Sequence, residues 1–462
     1  MKIFLIGLLS VTVIISAQAQ TWNGQDTLYG NEWIDYSKTY FKIKITEDGV
    51  YRVENQTLLT TGFPAGSVAA GEWRLFRNGE QEAIFTSTSG VFGGADFFEF
   101  YGRKNRGEVD FYLFEDAEEE QINPWYSMFN DTAVYYLTWG TGGQAMRYNV
   151  VQNDLNNLPP AEPFCWQTSE EVFWQGGVAK KYISDEIQYS WFDGIGYVRS
   201  YGSSTEPVPL NLPKIFNSGP DALAHIRYAC NLGDHHQQIL LNDSIFAEDQ
   251  FNDFRIIDRK FAVKTSFLKP TSTFKLLSPL NDRNGLALAS IRYPRQFDFE
   301  NGKMASFDLD ASTSEKYLEI QGFDVSGGSP VLWDLTNKTR LVTIPETGIT
   351  KAKIAPSNVL RNLVLISPAA TKNVSSLQSV QFQNPTDGGT ADYLIISNKA
   401  LYNDPATNAD HVAEYANYRR SAAGGSHGVK VMDINDLYEQ FAYGVRFHPI
   451  AVRNFLNWAK HT

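Results

Sequence analysis

A thiolate nucleophile worked by an imidazole is the first chemistry to look for, because the 462-residue chain carries two cysteines, Cys165 and Cys230, and seven histidines. In such a pair the thiolate attacks and the histidine handles the proton, so the fold must bring the two together. Ser426-His427-Gly428 holds the most suggestive histidine. It precedes the short strand Val429 to Met432 and so stands at its amino end, whereas reactive side chains of open α/β sheets sit at the carboxyl ends. No cysteine follows Cys230. His448 and His461 have no Cys, Asp or Glu arranged around them as a site.

Other chemistries find less. His235-His236 is expected in a solvated loop before a strand, and adjacent strand residues point to opposite faces, so the two rings could not readily chelate one ion. Asp96, Glu99 and Asp110 surround a Gly-rich stretch but lack the twelve-residue loop of alternating oxygens that calcium takes, and read as turn carboxylates. Phosphate-loop and Gly-x-Ser-x-Gly patterns are absent from the sequence. Ser397 and Asp433, at the carboxyl ends of two short strands, are the residues that could line the rim of a site. No catalytic, cofactor-binding or metal-binding residue is assigned.

The elements that would position such a rim occupy 390–462. Tyr393-Leu394-Ile395-Ile396 is a continuous apolar run, the form of a parallel strand covered on both faces. A helix follows, with Val412, Tyr415, Ala416 and Arg419 on one stripe, Asn408 or Asp410 as N-cap and Gly424-Gly425 as stop. Val429 to Met432 is the second strand. Pro449 opens a second helix, striped by Val452, Phe455, Leu456 and Ala459. The pattern is β-α-β-α.

The segments "ADYLIIS", "GVKVMDINDLYEQFAYG" and "PIAVRNFLNWAKHT" together resemble the opening of the gingipain-type cysteine peptidase domain. Farther back, "GVYRV", "LFRNGEQ", "ADFFEFYGRKNRGEVDFYLF" and "NPWYSMFNDTAVYYLTW" are similar to the N-terminal region of the large PorU-type sortases of the type IX secretion system within that family. The resemblance implies a caspase-like α/β domain with a His-Cys dyad on later strands. The family's His follows an apolar strand; Ala422 to Gly425 is none, so His427 is not assigned to the dyad, which is expected beyond Thr462. On this reading the chain is the N-terminal part of a longer enzyme and is inactive alone. The resemblance further implies cleavage of C-terminal sorting signals of cargo proteins and other type IX components as partners; no cofactor is evident in the sequence, with calcium an ion the complete protein could bind. A non-catalytic cell-surface β-sandwich binding module and a secreted degradative cysteine peptidase are the alternatives. A two-stranded sheet is marginal alone, so the last 70 or so residues are expected to be loosely ordered or sticky.

Residues 1–19 read as a secretory signal peptide: Lys2, an apolar core from Ile3 to Ile15, and Ala17-Gln18-Ala19 before cleavage between Ala19 and Gln20. Export to the periplasm, the outer-membrane surface or the exterior follows, with no transmembrane segment expected in the mature chain. Removal of Lys2 takes the net charge from -12 to -13, which argues against nucleic acid or an anionic lipid surface as partner. Two β regions precede the α/β unit: an N-terminal β domain over 20–155 and a second, jelly-roll-like sandwich over 160–385. Within the first, Thr39 to Val53 alternates around Asp48-Gly49 and reads as a hairpin. Phe97, Phe98, Phe100, Tyr101, Tyr135, Tyr136 and Trp139 read as core, with an exposed carbohydrate-binding face as the sharper alternative. Cys165 and Cys230 could pair in an oxidising compartment or stay buried as thiols. The fold class is mainly β, two sandwich-like regions followed by the start of a caspase-like α/β domain.

Overall fold

The computed structural model describes residues 28–140, 143–174, 176–179, 194–201, 204–230, 233–280, 284–387, 389 and 391–461. The expected signal peptide and its Ala19-Gln20 junction lie outside the described residues. The protein is mainly β, followed by a small α/β unit.

Alternation of buried and solvent-side residues builds the N-terminal sandwich. Thr39–Ile45 sits in a five-stranded sheet between Ala133–Trp139 and Gln378–Gln381, while Gly49–Glu54 sits in a four-stranded sheet beside Phe97–Gly102. The Asp48-Gly49 turn thus carries the chain from one sheet to the other and is not a hairpin. Alternation is the same in both cases, because each strand buries one face in the shared core of Phe41, Ile43, Ile45, Val53, Trp73, Leu75, Phe98, Phe100 and Tyr135. Phe98, Phe100, Tyr135 and Tyr136 are buried, and Phe97, Tyr101 and Trp139 half-buried.

The second β region holds two cores rather than one. A sheet of eleven strands runs through it, and each half is covered by its own four-stranded sheet. One core gathers Cys230, Ile226, Ile291 and Phe274; the other gathers Cys165, Phe307, Leu318 and Leu363. Both boundaries drawn from composition shift. Asn149–Val151 pairs in parallel with Thr339–Val342 and so belongs to the second region, although it precedes residue 155. Lys372–Asn373 and Gln378–Gln381 return to the N-terminal sandwich, pairing with Gly49–Glu54 and Thr39–Ile45. Turn-rich composition marks loops, and the chain recrosses between domains inside strands.

The α/β unit follows its expected order with one addition. Tyr393–Ser397 and Val429–Asp433 are parallel and in register from Tyr393 opposite Val429 to Ser397 opposite Asp433. His411–Arg420 is the connecting helix, with the Asp410 carboxylate accepting from Ala413 N–H as N-cap. Its stripe is shallow: Ala416 is buried, but Tyr415 and Tyr418 are exposed. A further helix, Ile434–Phe441, starts directly at the end of the second strand and precedes Ile450–His461.

This unit is packed rather than loose. Met432, Leu437, Phe441, Ile450 and Phe455 form a core with Val109, Leu113 and Phe114 of the N-terminal domain, each large apolar side chain contributing about 1.5–3 kcal/mol. The strand positions still show the thin cover of a two-stranded sheet, since all of Tyr393–Ser397 is only half-buried.

Candidate functional site

The carboxyl ends of the two strands are where an α/β sheet places reactive groups, and there Ser397 lies opposite Asp433. Asp433 is 4% exposed and its oxygens are engaged. Oδ1 accepts from Asn435 N–H at 2.7 Å and from Asn435 Nδ2 at 2.9 Å, capping Ile434–Phe441; Oδ2 accepts from Lys399 N–H at 3.0 Å. The carboxylate therefore ties the loop after the first strand to the helix after the second. Lys399 Nζ lies between Asp433 and Asp436, 3.7 and 3.3 Å from their oxygens. Burial pushes the Asp436 carboxyl up. The arrangement positions a loop at the strand ends.

His427 lies at the opposite, amino end. Its Nδ1 is 3.3 Å from Asp392 Oδ2, and its ring leans on Tyr393 at 5.2 Å between centroids. Asp392 also accepts from Gly428 N–H at 2.7 Å, and its bond to His427 holds its carboxyl below the usual range. His427 and Asp392 thus stitch together the starts of the two strands. A cleft of about 870 Å³ beside them is lined by Asn384, Asp387, Arg420, His427 and Lys430.

The thiols are remote from this unit. Cys165 and Cys230 sit in different cores and form no disulfide. Burial pushes the Cys165 thiol up to about 12, opposite to the depressed value of an activated nucleophile. His235 and His236 are on a strand, Asp234–Leu241, rather than in a loop. They face opposite ways, His235 buried against Phe251 and His236 3.6 Å from Glu248. Among the described residues no group of three or more His, Cys, Asp or Glu could hold a metal ion. Asp96 accepts from Ser87 Oγ and Gly93 N–H, and Glu99 pairs with Arg52 and Arg340. His461 stacks on Tyr29.

Sequence reasoning missed the seat of the α/β unit. In the first strand of the N-terminal sandwich Phe41, Ile43 and Ile45 point inward, so Tyr40 and Lys42 point out. Glu439 of the Ile434–Phe441 helix bonds to Lys42 Nζ and to Tyr136 Oη on that outer face. Gly444 passes against the same face with φ +84°, where a Cβ would lie 2.5 Å from Tyr136 Oη and 2.8 Å from Val134. Beside it, His448 Nε2 is 3.2 Å from Asp110 Oδ1, both side chains almost wholly buried. These partners lie 303 to 397 residues apart in the chain, so no local pattern signals them.

Residues 386–462 match the family model of peptidase family C25. Across solved structures, the chain is similar to the dimeric latent PorU from Porphyromonas gingivalis, at a TM-score of 0.56 and 12% identity over 92% of this chain and 40% of that one. A family 35 carbohydrate-binding module from Clostridium thermocellum aligns with 27% of this chain and 97% of its own, but its TM-score of 0.17 at 11% identity carries no argument. No curated protein sequence matches. The chain spans 40% of the PorU chain it resembles. Among the described residues no helix is long and apolar enough to cross a membrane. The α/β unit at the end of this chain thus lies in the segment that matches the model of peptidase family C25, and over 92% of the chain the fold is similar to that of PorU.

Proposed function

We propose that the chain is the N-terminal scaffold and first β-α-β-α part of an exported, PorU-like cysteine peptidase that removes C-terminal sorting signals from type IX cargo. The observation that supports it most is the docked α/β unit. The segment that matches family C25 is held on a β scaffold, and the fold is similar to that of PorU over 92% of the chain. The dyad, on this reading, is carried by sequence beyond residue 462, and Ser397 and Asp433 form the rim beside it. The raised thiol of Cys165 and the amino-end position of His427 support leaving both out of the dyad.

The test is cleavage by the protein produced with the sequence that follows residue 462 at its locus. Cargo carrying an intact C-terminal signal is expected to be cut once, at the signal junction, while unrelated unfolded proteins survive. General digestion would instead make it a degradative peptidase, and no cleavage of either would leave a binding scaffold.

A further inference from the structure

His448 is nearly sealed from solvent, yet both ring nitrogens have partners. Nδ1 accepts from Ile450 N–H at 3.2 Å, and Nε2 faces Asp110 Oδ1 at 3.2 Å. Since Nδ1 must offer a lone pair, the ring is the neutral tautomer protonated at Nε2. Asp110 is itself fixed by Ser127 Oγ at 2.8 Å and Met128 N–H at 2.7 Å, and Phe129 packs on the imidazole at 4.5 Å. The ring therefore bolts the start of Ile450–His461 to the N-terminal domain.

We propose that His448 is a pH latch between the two: acid adds a proton at Nδ1, removes the acceptor for Ile450 N–H, and releases the α/β unit from the sandwich. The charged and titratable groups facing the ring are Asp110, from the 3-10 turn Asp110–Leu113, and Arg453, from the helix itself. Asp110 favours the imidazolium, whereas Arg453 and the positive end of the helix oppose it. Burial outweighs the carboxylate and lowers the docked affinity for the proton. A histidine released to water regains an ordinary value near 6.5. Docking is therefore unaffected above about pH 6.5, and opening grows by up to about tenfold for each pH unit below it until the docked ring also titrates. This device does not depend on the peptidase reading, since both sides of the latch lie within this chain.

The experiment is amide hydrogen exchange of the full chain at pH 7.5 and 5.5, corrected for intrinsic rates, comparing 434–461 with the strand Asn284–Arg295. The expected result is about tenfold faster opening of 434–461 at pH 5.5 and little change in the strand. H448N keeps an acceptor for Ile450 N–H and H448Q keeps a donor for Asp110; neither titrates, so each is expected to lose the pH dependence. An equal acid response in a folded variant, or none in the parent chain, overturns the latch. Should neither variant fold, ¹⁵N-histidine spectra of the parent decide. A neutral Nε2–H ring at pH 7.5 that gains its second proton together with the exchange increase supports the latch; a ring already charged, or titrating without that increase, overturns it.

Discussion

Cys165 and Gly444 set opposite kinds of residue-scale constraint. With its thiol at about 12, Cys165 holds about one thiolate in ten thousand at pH 8, and its sulfur sits beneath two sheets. It is expected to resist a maleimide in the native protein and to react only on unfolding; rapid native alkylation would show that the Cys165 core opens. Gly444 needs both its positive φ and its missing Cβ. G444V is expected to cost more than about 2 kcal/mol of docking stability, read as protease cutting near residue 444 at lower denaturant. At this scale the sequence was partly legible. The place of His427 at the amino end of a strand could be read, because strand direction follows from chain order. The Asp110–His448 contact could not be foreseen, because nothing local links two residues that meet only after both domains form. For the same reason His448 read as isolated, although its ring is fully engaged.

Among the elements, the parallel pair Tyr393–Ser397 and Val429–Asp433 was readable because the unbroken apolar run Tyr393 to Ile396, a capped helix and a second short Val-rich segment leave few other structures. The Ile434–Phe441 helix was overlooked, since its cap is the last residue of a strand and no turn separates the two. D433A removes that cap and the acceptor for Lys399 N–H together, and is expected to cost about 1–2 kcal/mol. Loss of helical signal confined to the last third of the chain, with the β domains unchanged in circular dichroism, would check it; no loss would mean that packing alone sets this helix. The misread hairpin at Asp48-Gly49 has a similar origin. Alternation tells which face of a strand is buried, not which strand lies beside it, and at the edge of a sandwich both answers share one pattern.

For the whole molecule, the packed state of the α/β unit is the feature composition did not carry. A two-stranded sheet is weak alone, but here Leu437, Phe441 and Phe455 close against Val109 and Phe114, and Glu439 reaches across to Lys42 and Tyr136. E439A would leave the mostly buried ammonium of Lys42 and the Tyr136 hydroxyl without this partner, and is expected to weaken docking by about 1–3 kcal/mol. A separate early transition of the C-terminal unit in denaturant would register it; a single unchanged transition would mean that apolar contacts suffice. Strands from 372 to 381 return to the N-terminal sandwich and deliver the chain to the face on which the α/β unit sits. On the proposed function, this β scaffold presents the opening of a cysteine peptidase domain. The most direct measurement is labelling of the protein, extended with the sequence that follows residue 462, by a thiol-directed activity probe. The expected result is one labelled cysteine downstream of residue 462, with labelling abolished by its replacement with alanine and retained in C165A and C230A. Absence of label in the folded, extended protein, or label on Cys165 or Cys230, would contradict it.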